Sequence, residues 1–315
     1  MAAHRELPQG DPAEVGLCPD RTRALVQVFQ REVDRGRLPG AVLMLGRRGR
    51  VVLHEAVGLL APGGPAMAPD ALFRIYSMTK PMVSVAALML VEQGRLSLAD
   101  PVARHLPAFA HTPVLLETPE GVQLQAPVRP PTVQDLLRHT AGLTYEFLGA
   151  SKVQRLYAEA NIGSRQRSNA EFAEALAAIP LFCQPGSRWA YSRATDLLGC
   201  VIEAVTGQTL GRHLQQVLLD PLGLHDTAFA VPAGEHGRIA EPFAQDPDGG
   251  INMRLFDPRT APALESGGGG LVSTARDYAR FLQCLAGGGA LDDVRLLGPQ
   301  TLRFAMADHL GPIRA

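Results

Sequence analysis

Apolar residues recur at helical spacing through residues 22–36, and a Pro39-Gly40 pair then opens two short apolar runs, 41–45 and 51–54. The first pattern predicts an amphipathic helix, the second an antiparallel hairpin turning at Arg47-Arg48-Gly49-Arg50. A Gly/Pro-rich stretch, 61–70, separates the hairpin from the longest apolar run, 82–91. Further helices are expected over 132–138, 169–178, 195–207 and 211–219, punctuated by a proline-rich loop at 118–131 and by Gln184-Pro185-Gly186. A second loop-rich stretch covers 231–264. Four glycines, 267–270, then precede Thr274, which with Asp277 has the spacing of a capping pair opening a helix through Cys284.

The run 82–91 belongs to one helix whose start is set by Pro81. Proline is tolerated only in the first turn, where backbone N–H groups lack an intrahelical acceptor, so the helix begins near Ser77 or Met78, and Gly94 supplies its stop. In that register Ser77 and Lys80 stand i, i+3 on one face, with the serine hydroxyl at the positive end of the helix dipole. Lysine is scarce: of thirty basic residues only Lys80 and Lys152 are lysines. An arginine stays protonated, whereas a buried lysine can give up its proton and tune a nucleophile, so a lysine kept at this position points to chemistry. An N-cap serine beside a solvated surface lysine would show the same spacing, and the rest of the chain must decide between the two.

With 315 residues, 46% hydrophobic, and a formal net charge of −1, the chain has the composition of a globular protein of one large or two ordinary domains. The arginines are scattered among acids, which excludes a basic surface for nucleic acid. Residues 1–10 carry no apolar core of signal-peptide length and 82–91 is too short to span a bilayer, so no membrane partner and a cytoplasmic location are expected. Cys18, Cys183, Cys200 and Cys284 lie far apart and read as small hydrophobes rather than disulfides or metal ligands. Neither Gly-x-Ser-x-Gly nor His-Glu-x-x-His occurs, and no phosphate-binding glycine pattern follows a strand; no cofactor is expected.

Five blocks resemble, in order, the serine β-lactamase and penicillin-binding-protein superfamily, above all class C β-lactamases and family VIII carboxylesterases. They are Phe73-Arg74-Ile75-Tyr76-Ser77-Met78-Thr79-Lys80-Pro81, Gly94-Arg95-Leu96-Ser97-Leu98-Ala99-Asp100-Pro101-Val102, Leu136-Leu137-Arg138-His139-Thr140-Ala141-Gly142-Leu143, Pro185-Gly186-Ser187-Arg188-Trp189-Ala190-Tyr191-Ser192, and 267–274. The resemblance implies an α+β fold: an antiparallel sheet domain flanked by helices (1–75 and 265–315), a mostly helical domain (76–264), and an active-site groove between them. It also implies a third catalytic residue beside Ser77 and Lys80, the tyrosine that matches Tyr191. A phenol with its usual pKa near 10 is a poor base at neutral pH, and Lys80 would be the cation that helps it. His139, in the third block, reads as a buried structural histidine.

The implied reaction is hydrolysis of a small-molecule ester or amide through an acyl-enzyme on Ser77. The third position of the tyrosine motif is Arg193 where true class C enzymes have asparagine, and this favours carboxylic esters over β-lactams. β-Lactam hydrolysis, D-amino-acid peptidase or acyltransfer chemistry, and an inactive ligand-binding relative are the alternatives. Downstream of Gly270 neither Lys-Thr-Gly nor Trp-Gly-Gly occurs. The expectation is therefore a truncated member with a short sheet, an exposed strand edge and a half-formed oxyanion hole.

Overall fold

The computed structural model describes residues 6–250 and 255–313. Its contacts divide into two compact units, one formed by residues through Arg74, Leu219–Ala261 and Val272–Arg295, the other by Ile75–Leu218, Pro262–Leu271 and residues from Leu296 onward. The sequence reading put 219–261 with the helical region and 265–271 and 296–315 with the sheet region; in the structure each groups with the other unit. Short loop-rich segments carry little periodicity, so their partners are decided by tertiary packing, which the sequence pattern does not display.

In the first unit, helix α1 (Pro19–Asp34) begins with a proline in its first turn and packs on the hairpin of β1 (Gly40–Arg47) and β2 (Arg50–Gly58). Arg48 and Gly49 both take positive φ, 54° and 75°, the geometry that matches a two-residue turn to the twist of its strands. Gly40 is required by close approach, since a Cβ there would lie 2.4 Å from the Leu59 carbonyl oxygen. β3 (Phe73–Arg74) pairs antiparallel with β6 (Val272–Ser273) over an apolar cluster of Leu72, Val231, Ile239 and Val272. Helix α9 (Ala275–Ala286), capped by Thr274 as its spacing predicts, packs on β1; α8 (Asp220–Leu222), β7 (Ala290–Leu291) and β8 (Val294–Arg295) are short. Among the described residues every sheet has two strands, so the expected antiparallel sheet is represented by small hairpins and pairs.

The second unit is built on α2 (Thr79–Glu92) and α6 (Ala194–Thr206), which pack together. Met82, Val83, Ala86 and Leu90 of α2, and Leu198, Val201 and Ile202 of α6, are wholly buried; each large aliphatic side chain so buried contributes about 1.5–3 kcal/mol. Around them lie α3 (Val133–Leu137), α4 (Lys152–Glu159), α5 (Asn169–Ala177), α7 (Leu210–Leu214) and α10 (Pro299–Ala305). The helix expected over 211–219 is α7 followed by a π-helical turn at Gln215–Leu219. The region read as a proline-rich loop contains a hairpin, β4 (Val114–Thr118) with β5 (Gly121–Gln125); β5 is exposed along its whole length, so no buried stripe advertises it.

One buried carboxylate organises the loop leading to the functional region. Asp135 is fully buried in α3, closes a capping box with Thr132, and accepts from Arg129 (2.6 Å), Arg138 (3.0 Å) and the Thr140 hydroxyl (2.7 Å). Burial alone would raise its pKa, but these donors outweigh burial and hold the carboxyl well below the usual range. Asp135→Ala leaves Thr140 and two guanidiniums without their acceptor and is expected to cost about 3–5 kcal/mol in urea unfolding. Because the folded carboxyl is the stronger acid, this stabilisation is complete above about pH 4 and is lost as pH falls further. A loss under about 1 kcal/mol would contradict the assignment.

Candidate active site

The turn that carries the nucleophile candidate is tied down on both sides. Residues Tyr76–Met78 form a 3-10 turn ahead of α2, with Tyr76 at φ 42°, a left-handed conformation that a non-glycine residue adopts only where its surroundings enforce it. The enforcement is visible: the Ile75 N–H donates to the Leu271 carbonyl (3.0 Å), and the Leu271 N–H donates to the buried Thr79 hydroxyl (3.2 Å). Pro81 stands in the first turn of α2 as expected, so the i, i+3 relation holds and Lys80 Nζ donates to Ser77 Oγ at 3.0 Å. Ser77 is exposed while Thr79 beside it is fully buried, which presents the hydroxyl outward from a fixed base.

Tyr191 comes from the loop before α6, and its hydroxyl lies 2.5 Å from Ser77 Oγ. The structure thus brings together all three residues singled out in the sequence. Lys80 Nζ lies 4.7 Å from the Tyr191 ring centroid and makes a second hydrogen bond, to the Gly268 carbonyl, at 2.6 Å. That carbonyl was not anticipated. The four glycines are closely packed backbone: a Cβ at Gly267 would come within 2.5 Å of the Thr195 carbonyl oxygen. Nothing in a glycine run announces which of its carbonyls faces a lysine.

The block from His139 to Leu143 is scaffold for the tyrosine loop. The His139 carbonyl accepts from the Ala190 N–H (2.9 Å), the Thr140 carbonyl from the Gly186 N–H (2.7 Å), and the Gly142 carbonyl from the Phe182 N–H (2.7 Å). Gly142 takes φ 80° with room for no side chain, since a Cβ would fall 2.3 Å from the Cys183 carbonyl oxygen. The His139 ring packs 5.0 Å from that of Tyr191, its Nδ1 lies 3.1 Å from Ser192 Oγ, and burial together with the charge of Lys80 pushes its pKa down to about 4. Tyr145 packs against the other side of the loop, 5.2 Å from Tyr191, and burial drives its own phenol well above the usual value.

Arg193, the departure from the class C motif, is half-buried, pairs with Glu146, and lies with its guanidinium carbon 4.9 Å from the Tyr145 ring centroid. Asp196 and Ser266, buried behind the glycine turn and bonded to each other, also went unnoticed in the sequence; an aspartate within a helical apolar run was the available signal. A separate cavity of about 370 Å³, floored by Leu115, Val153 and Phe182 and edged by Arg188, includes none of the three candidate residues. Among the described residues no cluster of three His, Cys, Asp or Glu side chains could hold a metal ion, and no helix is long and apolar enough to cross a membrane.

Comparison with known proteins places the chain in a family. Residues 25–313 match the family model described as beta-lactamase. A protein of Mycobacterium tuberculosis is 36% identical over 289 residues, covering 90% of this chain and 71% of the relative. Esterase EstB of Burkholderia gladioli is 35% identical over 282 residues, covering 82% of this chain and 68% of the esterase. The solved structure of EstCE1, described as a hydrolase with promiscuous acyltransferase activity, superposes with a TM-score of 0.74 at 30% identity, covering 89% of this chain and 75% of that one. With a family model spanning most of its length and the lysine and the tyrosine each within hydrogen-bonding reach of the serine, the chain belongs to the β-lactamase family and is a serine hydrolase of that family.

Proposed function

We propose that this protein hydrolyses carboxylic esters of small molecules through an acyl-enzyme on Ser77, with Lys80 and Tyr191 as the proton-handling pair. The observation that carries the reading is the position of Ser77 Oγ, 3.0 Å from Lys80 Nζ and 2.5 Å from the Tyr191 hydroxyl, on an exposed turn at the start of a helix. Oγ forms a bond to the acyl carbon as its proton passes to the lysine–tyrosine pair; the ester C–O bond breaks and the same proton leaves on the alcohol. Water then adds to the acyl carbon, gives its proton to the pair, and the acid departs as Ser77 recovers its hydrogen. Lysine and tyrosine both touch Oγ, so the proton belongs to the coupled pair rather than to one residue.

Esters are favoured over β-lactams on two grounds. Arg193 replaces the asparagine of class C enzymes and is turned to Glu146 and Tyr145, and two of the similar proteins are an esterase and a hydrolase with promiscuous acyltransferase activity. A reducing, cytoplasmic setting is supported by four free cysteines, two of them buried. Parallel assays with p-nitrophenyl butyrate and a chromogenic cephalosporin test the preference; a higher kcat/KM on the cephalosporin would reverse it.

Ser77→Ala is expected to abolish ester hydrolysis and phosphonate labelling while leaving circular dichroism and melting unchanged, because an exposed hydroxyl carries little packing energy. Retained turnover would remove Ser77 from the mechanism.

Lys80→Arg keeps the charge and takes away the neutral amine, so kcat should fall by about 10²–10⁴-fold, and Tyr191→Phe by a comparable factor. Because both act on one proton, the double variant should be scarcely worse than either single one. Fully multiplicative losses would mean that the two residues work separately.

His139 is too weak a base for a role at neutral pH, and its contribution is to stability. Its folded pKa, about 4, lies below the 6.5 of an unfolded histidine, so the unfolded chain takes up the proton first as pH falls. Stability from the neutral ring is complete above about pH 6.5 and drains away down to about pH 4, by at most ~3 kcal/mol. Urea unfolding at pH 7 and pH 4.5 should show that His139→Gln loses less stability on acidification than the wild type; equal losses would count against a buried neutral imidazole.

A further inference from the structure

The carboxylate of Asp196 is not accounted for by the reaction above. It lies in the first turn of α6, five residues after Tyr191, with 1% of its surface exposed. Oδ1 accepts from the Gly268 N–H at 3.1 Å and from the Ser266 hydroxyl. Oδ2 has no hydrogen-bond partner; the nearest cation is Arg193 at 3.8 Å, whose guanidinium is already engaged by Glu146. Stripping a carboxylate of water costs several kcal/mol unless its oxygens are well paired, so a half-satisfied one is an expensive way to fill a helix face. What it touches gives the reason. A Cβ at residue 268 would sit 2.5 Å from Oδ2, so the carboxylate is pressed against the backbone of Gly268, and the carbonyl of that same residue accepts from Lys80 Nζ at 2.6 Å.

We propose that Asp196 is a positioning residue that clamps the 266–270 turn through Ser266 and the Gly268 N–H, so that the Gly268 carbonyl holds the Lys80 amine on Ser77 Oγ. The inference rests on the reading of Ser77, Lys80 and Tyr191 as the reacting groups. Lysine is a four-carbon flexible chain with many rotamers, and a fixed second acceptor is what confines its nitrogen to one place. The rest of the segment is held independently: the Ala263 and Leu264 N–H groups donate to the Arg165 carbonyl, and the Glu265 N–H to Asn169 Oδ1 at 2.9 Å. Losing Asp196 therefore loosens the turn locally. Misplacement of a reacting group by about 1 Å can cost ~10²-fold in rate.

Asp196→Ala should lower kcat on a p-nitrophenyl ester by about 10–10²-fold with KM within about threefold, and Asp196→Asn, whose amide oxygen can still accept from Gly268 and Ser266, should recover most of it. In a Lys80→Ala background Asp196→Ala should add less than about threefold, because its effect runs through the lysine. A second readout does not require turnover. With ¹⁵N-lysine labelling the chain has two lysine side-chain signals, Lys80 and Lys152, and Asp196→Ala should displace the first and leave the second in place. Wild-type kcat in the folded Asp196→Ala protein, an undiminished loss in the Lys80→Ala background, or an unmoved Lys80 signal would each overturn the clamp. If Asp196→Ala does not fold, Ser266→Ala, which removes one of the two clamp bonds, must displace the Lys80 signal, and an unmoved signal there overturns it equally. If the wild type neither cleaves esters nor takes a phosphonate on Ser77, the hydrolase reading falls, while the Lys80 signal still decides the clamp.

Discussion

The second hydrogen bond of Lys80 is the constraint on which the functional region turns. An amine that touched only Ser77 would be one of many rotamers of a mobile side chain; held also by the Gly268 carbonyl, it becomes a fixed feature of the surface. That single nitrogen joins the start of α2 to a glycine turn nearly two hundred residues later, and the tyrosine loop closes over both through the Ser77 hydroxyl. The glycines are needed because the turn must lie against α6 with no side chain between, as the contact of residue 267 with the Thr195 carbonyl shows.

Buried acids do much of the structural holding. Asp135 gathers two arginines and two threonines beneath the loop that follows α3, and that loop carries, through His139, Thr140 and Gly142, the backbone acceptors on which the tyrosine segment hangs. Each link is a hydrogen bond from an N–H or hydroxyl to a fixed acceptor, so backbone geometry adds to the packing of the Tyr191 ring on His139 and Tyr145 in placing a phenol at the serine. The strain at Tyr76 fits the same picture: an unfavourable φ persists because the Ile75–Leu271 and Leu271–Thr79 bonds leave no alternative.

The parts that could be seen in the sequence are those in which local chemistry decides the outcome. Pro81 and Gly94 bracket α2, Thr274 and Asp277 open α9, and Ser77 meets Lys80 at i, i+3, all from rules that act within a turn or two. The α4 helix was equally open to such a reading, since Ser151 and Gln154 form a complete capping box, but its short apolar pattern drew no notice. β5 escaped for a different reason: a strand exposed on both faces has no buried side to pattern. The Gly268 carbonyl and Asp196 could not have been paired by any local rule, because what relates them is a backbone approach between segments seventy residues apart. Grouping of 219–261 with the sheet-bearing unit is likewise a property of long-range packing.

An almost lysine-free chain also has a practical side. Chemistry that couples proteins to supports, dyes or one another commonly goes through side-chain amines, and here those amines number two, one at the head of α4 and one bonded to Ser77. An amine-directed reagent that reaches past Lys152 meets the amine that contacts Ser77. Immobilisation or labelling of this protein is better directed at its exposed thiol, Cys18, which lies at the start of α1 and takes no part in the serine–lysine–tyrosine contact network.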